Sequence, residues 1–257
     1  MEMGKRGQVT IYIILGILIV GVIGLTLAFR ERILPGTITI ETVQTEFGPI
    51  REHIQECVDE SANGPIREIA LKGGQLTPKS YKLFNGTTVS YLCYNIKGQP
   101  TCYNKMLTIS DMEKDLSQVI NFNLQKCIDV NSFSSIFSGV TVSGQGMPKA
   151  TVIINKENVQ VDVTYPVVLT QKDITITENK FNTMVNLPLG DLYDVSQDII
   201  NVETEFGDFD QLIYMLSKTG KYMIYKHRPY PDKLYQIKRT QTTDGLMFQF
   251  FVEGEPS

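Results

Sequence analysis

The sequence lacks the short motifs by which many enzymes and nucleotide-binding proteins are recognised. It has no GxSxG, HExxH, P-loop or GxGxxG pattern. Its two histidines, His53 and His227, lie far apart and have no acidic residue at metal-ligand spacing. We interpret His53 as a solvated residue on the polar side of a helix, and His227 as the residue that leads into an exposed loop. The sequence therefore predicts no enzyme, cofactor or metal site.

Blocks of basic residues are also missing, and the formal net charge is -4. Proteins that bind nucleic acid present a basic surface, so we expect no nucleic acid partner. The chain is 42% hydrophobic and 20% charged, which is typical of a folded domain and excludes a disordered stalk.

One long uncharged run is present near the start of the chain, from Val9 to Phe29. As a helix, residues 9–29 would extend roughly 31 Å, enough to cross a hydrocarbon core of about 30 Å. The run is longer than a signal-peptide core, and the residues from Ala28 to Arg32 make a poor cleavage site. We therefore expect a retained transmembrane helix over 9–29, a tail over 1–8, a juxtamembrane linker over 30–42, and the membrane as a partner.

The basic residues that flank this run do not orient it, because Lys5 and Arg6 are matched by Arg30 and Arg32. The cysteines do. All four follow the run, and an even number in an exported domain favours disulfides. The sequence thus predicts a cytoplasmic N-terminus and an extracytoplasmic C-terminal domain.

Four cysteines allow three pairings. We favour Cys93–Cys102, because two short strands around a turn at 97–100 would bring these sulfurs opposite each other. Cys57 and Cys127, each within a predicted helix, then pair by default. A zinc site would need CxxC-like spacing or a nearby histidine, and neither is present.

The segment Lys5-Arg6-Gly7-Gln8-Val9-Thr10 resembles the class III signal peptide of archaeal type IV pilin-like proteins. The resemblance implies cleavage on the cytoplasmic side between Gly7 and Gln8, and Thr10 matches the family's small hydroxyl residue. Tyr12 stands where the family has a glutamate that serves processing and filament assembly. More loosely, the remaining chain is similar to uncharacterised single-anchor archaeal proteins, a family that implies no activity.

The predicted fold class is α+β, with a transmembrane helix followed by mainly antiparallel sheet and several helices. A first part, 43–138, begins with a helix that Asn63-Gly64 interrupts and that Pro65 restarts up to Gly73-Gly74. Strands follow over 79–109. A further helix begins at a capping box formed by Ser110 and Glu113.

In a second part, 139–257, apolar residues alternate with a period of two. The pattern predicts a hairpin of 150–154 and 159–165, then strands over 166–170, 174–177 and 181–186. It also predicts a helix over 189–204, a helix over 208–217 capped by Asp208, and closing strands over 221–227, 234–238 and 246–252.

Three further groups of residues invite a functional interpretation. The first is an acidic group, which lacks the tight spacing of a calcium loop, so we interpret it as helix caps and a solvated loop: Glu203, Glu205, Asp208 and Asp210. The second is a group of tyrosines, which we interpret as strand residues: Tyr222, Tyr225, Tyr230 and Tyr235. The third is Asn85-Gly86-Thr87, an N-glycosylation sequon in a turn.

Three hypotheses follow. The first is a single-pass membrane-anchored surface protein whose extracytoplasmic domain binds or assembles, by self-association or with another surface protein. The second is a pilin-like filament subunit processed before Gln8. The third is a membrane-tethered enzyme without a recognisable motif.

Overall fold

The computed structural model describes residues 15–24, 47–99, 101–135 and 139–254. Two compact units make up the chain, Met1–Thr45 and Glu46–Ser257. In the first unit, residues 15–24 are helical and exposed. The rest of the predicted 9–29 span, the 1–8 tail and the 30–42 linker lie outside the described residues. Within the described ranges, no helix combines the length and apolar character that a membrane crossing requires.

The second unit combines helices with mainly antiparallel sheets, which confirms the predicted α+β class for this part of the chain. Its α-helices are α1 (Phe47–Leu71), α2 (Ile109–Cys127), α3 (Leu189–Phe206) and α4 (Gln211–Ser217), and a 3-10 helix covers Val130–Ser135. Its strands are β1 (Tyr81–Phe84), β2 (Thr87–Asn95), β3 (Cys102–Asn104), β4 (Val140–Gly144), β5 (Lys149–Ile154), β6 (Val159–Gln171), β7 (Ile174–Val185), β8 (Tyr222–His227), β9 (Lys233–Arg239) and β10 (Phe248–Val252).

These strands form two sheets. In the first, the order is β1-β2-β10-β9-β8, with β3 also on β2, and only the β2–β10 pair among the described strands is parallel. In the second, β6 lies between β7 on one side and β4 and β5 on the other. The strands predicted separately at 159–165 and 166–170 are one strand, because Pro166 is accommodated at a register irregularity between Thr164 and Val167.

Helix α1 runs without a break through Asn63, Gly64 and Pro65, so the predicted interruption is wrong. A proline ring cannot donate to the carbonyl four residues earlier, here that of Ser61. The side-chain amide of Asn123 in α2 donates to this carbonyl instead, at 3.3 Å. The helix ends as predicted at Gly73 and Gly74, which have φ values of 76° and 83° that favour glycine.

Helix α2 begins earlier than predicted. Thr108 is its N-cap, and Thr108 and Asp111 form the capping box in place of Ser110 and Glu113. This choice frees Glu113 for a different role: its Oε1 accepts the backbone N–H of Ile154 at 2.9 Å. The helix packs inward through Met112, Leu116, Ile120 and Leu124.

Glu113 belongs to a row of polar side chains on α2, spaced four residues apart, that covers the outer edge of β5. Ser117 Oγ accepts the N–H of Val152 at 3.0 Å, and the side-chain oxygen of Asn121 accepts the N–H of Ala150. An uncovered strand edge is a site for unwanted pairing with another chain. The helix therefore closes an edge that the sheet leaves open.

Two disulfides hold the unit together. Cys57–Cys127 joins α1 to α2 with a Cα–Cα distance of 5.7 Å, and Cys93–Cys102 joins β2 to β3 with 5.4 Å. These are the pairings that the sequence favours.

Candidate binding surface

Helix α4 turns its aliphatic side chains toward solvent. Leu212, Ile213 and Leu216 are 62%, 67% and 80% exposed. Residues three and four positions apart are neighbours on a helix, so Leu216 adjoins both others. We call these three residues the α4 surface. Contiguous exposed apolar groups of this kind mark interaction sites in soluble domains.

The side of α4 that packs inward is held by polar and aromatic contacts. The Tyr214 hydroxyl donates to Asp198 Oδ2 at 2.7 Å, and the Met215 sulfur accepts the N–H of Ile224 in β8 at 3.2 Å. The Asp210 carboxylate caps the helix by accepting the N–H groups of Leu212 and Ile213. The orientation of the aliphatic residues is therefore imposed by specific contacts on the opposite side.

The prediction that Asp208 caps α4 is wrong. Gly207 has a φ of 76° and ends α3, and the next buried residue, Phe209, anchors the turn. Asp208 then pairs with Lys226, Arg228 and Lys233. The cap role falls to Asp210.

A cavity of about 430 Å³ adjoins the C-terminal end of α4. Lys218, the residue that caps this end, is part of its lining. We call the cavity the basic pocket, and its lining residues are Lys218, Thr219, Lys221, Arg239, Gln241 and Thr242. Its ammonium, guanidinium, hydroxyl and amide groups are donors suited to an anion.

Two carboxylates balance part of this charge. Buried Asp191 accepts from Lys221 Nζ at 2.9 Å and from Arg239 Nε at 2.7 Å, and Arg239 also donates to both oxygens of Glu157. Burial by itself would raise the pKa of Asp191, but hydrogen bonds from Arg239, Lys221 and Tyr222 outweigh it and lower the pKa below its ordinary value.

Lys218 differs from the other two cations of the pocket. Its Nζ lies 5.1 Å from the centroid of the Tyr214 ring, and no carboxylate of the described residues bonds to it. The cluster of three cations and two carboxylates thus carries one net positive charge.

The interpretation of the acidic group as helix caps and a solvated loop holds for Asp210, which caps α4, but is wrong for Glu203. Glu203 is 1% exposed and accepts from Lys233 Nζ at 2.7 Å, from the Phe209 N–H and from the Tyr235 hydroxyl. Burial, reinforced by the negative charge of Glu203, raises the pKa of Tyr235. Lys233, which lies on β9 and far away in sequence, thus forms an ion pair with the buried Glu203 carboxylate.

Glu203 and Lys233 also line a cavity of about 230 Å³, together with Glu253. Each carboxylate there already has a partner, since Glu253 Oε2 accepts the Asn95 N–H at 2.9 Å. We therefore interpret the polar lining of this cavity as structural, formed by the Glu203–Lys233 ion pair and the Glu253 hydrogen bond.

The two histidines are not brought together. His53 is half-buried, with its Nε2 3.8 Å from Cys57 Sγ and its ring 5.3 Å from the centroid of Phe133, so it is less solvated than predicted. His227 ends β8 and its Nε2 lies 3.0 Å from Gln236 Oε1. In the described part of the chain, no group of three or more histidine, cysteine or acidic side chains is placed to hold a metal ion.

The tyrosines divide by position. Tyr222 and Tyr235 are buried on β8 and β9, Tyr225 is exposed on β8, and Tyr230 lies in the following loop with 69% exposure. The strand interpretation therefore holds for three of the four. Asn85 is exposed at the tip of the β1–β2 hairpin, where its φ is 47°. Gly7 and Gln8 lie outside the described residues.

Sequence reasoning missed the α4 surface and the row of polar side chains on α2, which we call the α2 row. The residues of α4 include inward Tyr214 and Met215 beside outward Leu212 and Leu216, so apolar character alone does not tell which side packs. The α2 row had a usable signal, because Glu113, Ser117 and Asn121 recur every four residues beside the apolar stripe.

Comparisons with known proteins add no assignment. No family model matches this chain, and no curated protein or solved structure matches it either.

Proposed function

We propose that this chain is a single-pass membrane-anchored protein whose C-terminal domain lies outside the cytoplasm and serves as a binding or assembly module without catalysis. The observation that carries the proposal is the pair of disulfides within the unit Glu46–Ser257. Disulfides persist in oxidising compartments and are rare in the cytosol. The uncharged run at 9–29 is long enough to anchor the chain in a bilayer.

The α4 surface supports the binding role. The largest core side chains, such as Tyr235, Phe248 and Phe250, are fully enclosed, whereas three aliphatic residues of one short helix lie together in solvent. Exposing them costs hydrophobic free energy, about 1.5–3 kcal/mol for each side chain that could be buried. A contact that covers them would recover part of this cost.

Reporter fusions test the location. Alkaline phosphatase joined after Ser257 acquires activity only outside the cytoplasm. Green fluorescent protein joined at the same position does not fluoresce if it is exported in unfolded form. We expect an active phosphatase fusion that remains in the membrane after alkaline carbonate washing. A bright fluorescent fusion together with an inactive phosphatase fusion would contradict the proposal.

A filament subunit is the second candidate, favoured by the Lys5–Thr10 motif. The mass of the mature N-terminus separates the two. A chain that begins at Gln8 supports pilin-type processing, and an intact N-terminal tail excludes it.

A further inference from the structure

The α4 surface is too small for the usual kind of protein interface. A specific interface engages about 20–30 residues on each side and draws much of its energy from buried Trp, Tyr and Arg. The α4 surface offers three aliphatic side chains on one short helix, and Tyr214 faces inward. A bilayer, by contrast, can be engaged by a few aliphatic groups that enter its interface.

The charges beside α4 have the arrangement that an anionic bilayer favours. Lys218 and the basic pocket adjoin the C-terminal end of the helix, while the acidic cap Asp210 lies at the opposite end. Helices that lie in the membrane interface combine leucine-type residues with lysine or arginine, which contact anionic headgroups. The ammonium of Lys218 and the side-chain amide of Gln241, which line the basic pocket, are donors that suit phosphate oxygens.

From these observations we infer that α4 docks on a membrane surface rich in anionic phospholipid. Leu212, Ile213 and Leu216 enter the boundary between headgroups and acyl chains, and Lys218 with the basic pocket contacts lipid phosphates. This inference rests on the proposed function, because the anchor keeps the domain beside a bilayer. Tethering raises the local concentration of the second contact, so a weak interaction is sufficient.

Tryptophan fluorescence tests the docking directly, because the chain contains no tryptophan. Leu212→Trp places a single indole on the α4 surface at a position that is 62% exposed, where a larger side chain fits. The full-length variant is reconstituted into liposomes of phosphatidylglycerol or phosphatidylcholine, each with and without brominated acyl chains. We expect a blue-shifted emission and strong quenching by bromine in phosphatidylglycerol, and much weaker quenching in phosphatidylcholine.

Two variants serve as controls. Met147→Trp carries the indole at another exposed apolar position, with Met147 74% exposed in the turn between β4 and β5, and its emission should stay unquenched in both lipids. Lys218→Glu added to Leu212→Trp reverses the charge beside α4 and should remove most of the quenching in phosphatidylglycerol.

Liposome flotation separates failure of the inference from failure of the proposed function. If the unmodified full chain does not float with the liposomes and resist alkaline carbonate, the anchor itself is refuted. If it does both, but Leu212→Trp is unquenched, or is quenched equally in the two lipids, docking on anionic lipid is wrong and the anchor stands. Photo-crosslinking from position 212 to a protein, without quenching, would likewise overturn the inference.

Discussion

Asn123 donates its side-chain amide to the carbonyl of Ser61, the one helical acceptor that Pro65 leaves without its usual donor. The contact lies between α1 and α2, beside the Cys57–Cys127 bridge that joins the same two helices. A side chain from one helix thus completes the hydrogen bonding of another.

Removing this amide should destabilise the domain more when Pro65 is present than when it is replaced. Asn123→Leu leaves the Ser61 carbonyl unsatisfied, and we expect it to lower the free energy of unfolding by about 1–2 kcal/mol. In a Pro65→Ala background the helix supplies its own N–H, so the same change should cost less. Urea unfolding of the four variants of the cycle measures the difference. Gln125→Leu, at an exposed position of α2, is the matched control. An equal cost in both backgrounds would contradict this role for Asn123.

The polar row of α2 should protect the edge of β5. Ser117→Ala removes the acceptor for the Val152 N–H and should lower stability by about 1 kcal/mol. It should also speed amide hydrogen exchange at Val152 more than at strand positions that keep their ladder partners. Gln118→Ala, on the exposed side of the same helix, should change neither quantity. Unchanged exchange at Val152 in Ser117→Ala would show that the hydroxyl does not protect the edge.

Acid should destabilise the domain in part through Asp191. Its folded-state pKa lies below the ordinary value of 3.8, so near and below that pH the unfolded chain binds more protons than the folded one. The stabilisation is complete above the ordinary pKa and is lost as pH falls through the lowered one. Asp191→Asn should therefore reduce stability at pH 7 and flatten its dependence on pH between about 5 and 2.

Thermal unfolding across that pH range measures this effect. Asp173→Asn, in the exposed turn between β6 and β7, is the control and should leave the slope unchanged. If stability falls with pH as steeply in Asp191→Asn as in the unmodified chain, Asp191 does not contribute to acid sensitivity.

The two disulfides should contribute unequally. Cys57 and Cys127 are separated by 70 residues and Cys93 and Cys102 by 9. By the chain-entropy relation, the longer loop is worth about 4 kcal/mol and the shorter about 2.5 kcal/mol. Replacing both cysteines of a pair by alanine should therefore cost more for Cys57–Cys127. Denaturant unfolding of the two double variants tests the order, and non-reducing peptide mapping tests the pairing.

Asn85 should carry a glycan where the exported chain meets a glycosylating enzyme. It is exposed at a hairpin tip, followed by Gly86 and Thr87, and the sequon needs the Thr87 hydroxyl. Thr87→Val should abolish the added mass on the Asn85 peptide, and Thr87→Ser should keep it. Mass spectrometry of protein recovered from its own membranes provides the measurement. An unmodified Asn85 peptide in fully exported protein would refute the assignment.

Much of the local structure follows from residues that lie close together in sequence. The alternation of apolar residues around Asn155–Asn158 predicts the β5–β6 hairpin, and the apolar spacing from Met112 to Leu124 predicts α2. Both predictions are possible because the hydrophobic period and the turn residues are local properties of the sequence. The hairpin around 97–100 likewise indicated Cys93–Cys102, since its geometry depends on neighbouring strands.

The departures arise where distant residues compete with a local rule. Helix α1 is not interrupted and restarted at Pro65, because Asn123 of another helix replaces the missing hydrogen bond. Glu203 is buried because Lys233 and Tyr235 of β9 hydrogen-bond to it. No local sequence pattern predicts these partners, because they lie some thirty positions away.

The sequence by itself determined the apolar run at 9–29, the α+β pattern and the even cysteine count, because each depends on composition or short-range period. Only the tertiary structure decided that α4 packs through Tyr214 and Met215 and leaves Leu212, Ile213 and Leu216 in solvent. The side of a short helix that is buried depends on the free energy of its contacts with Asp198 and Ile224, and these form only when the chain has folded.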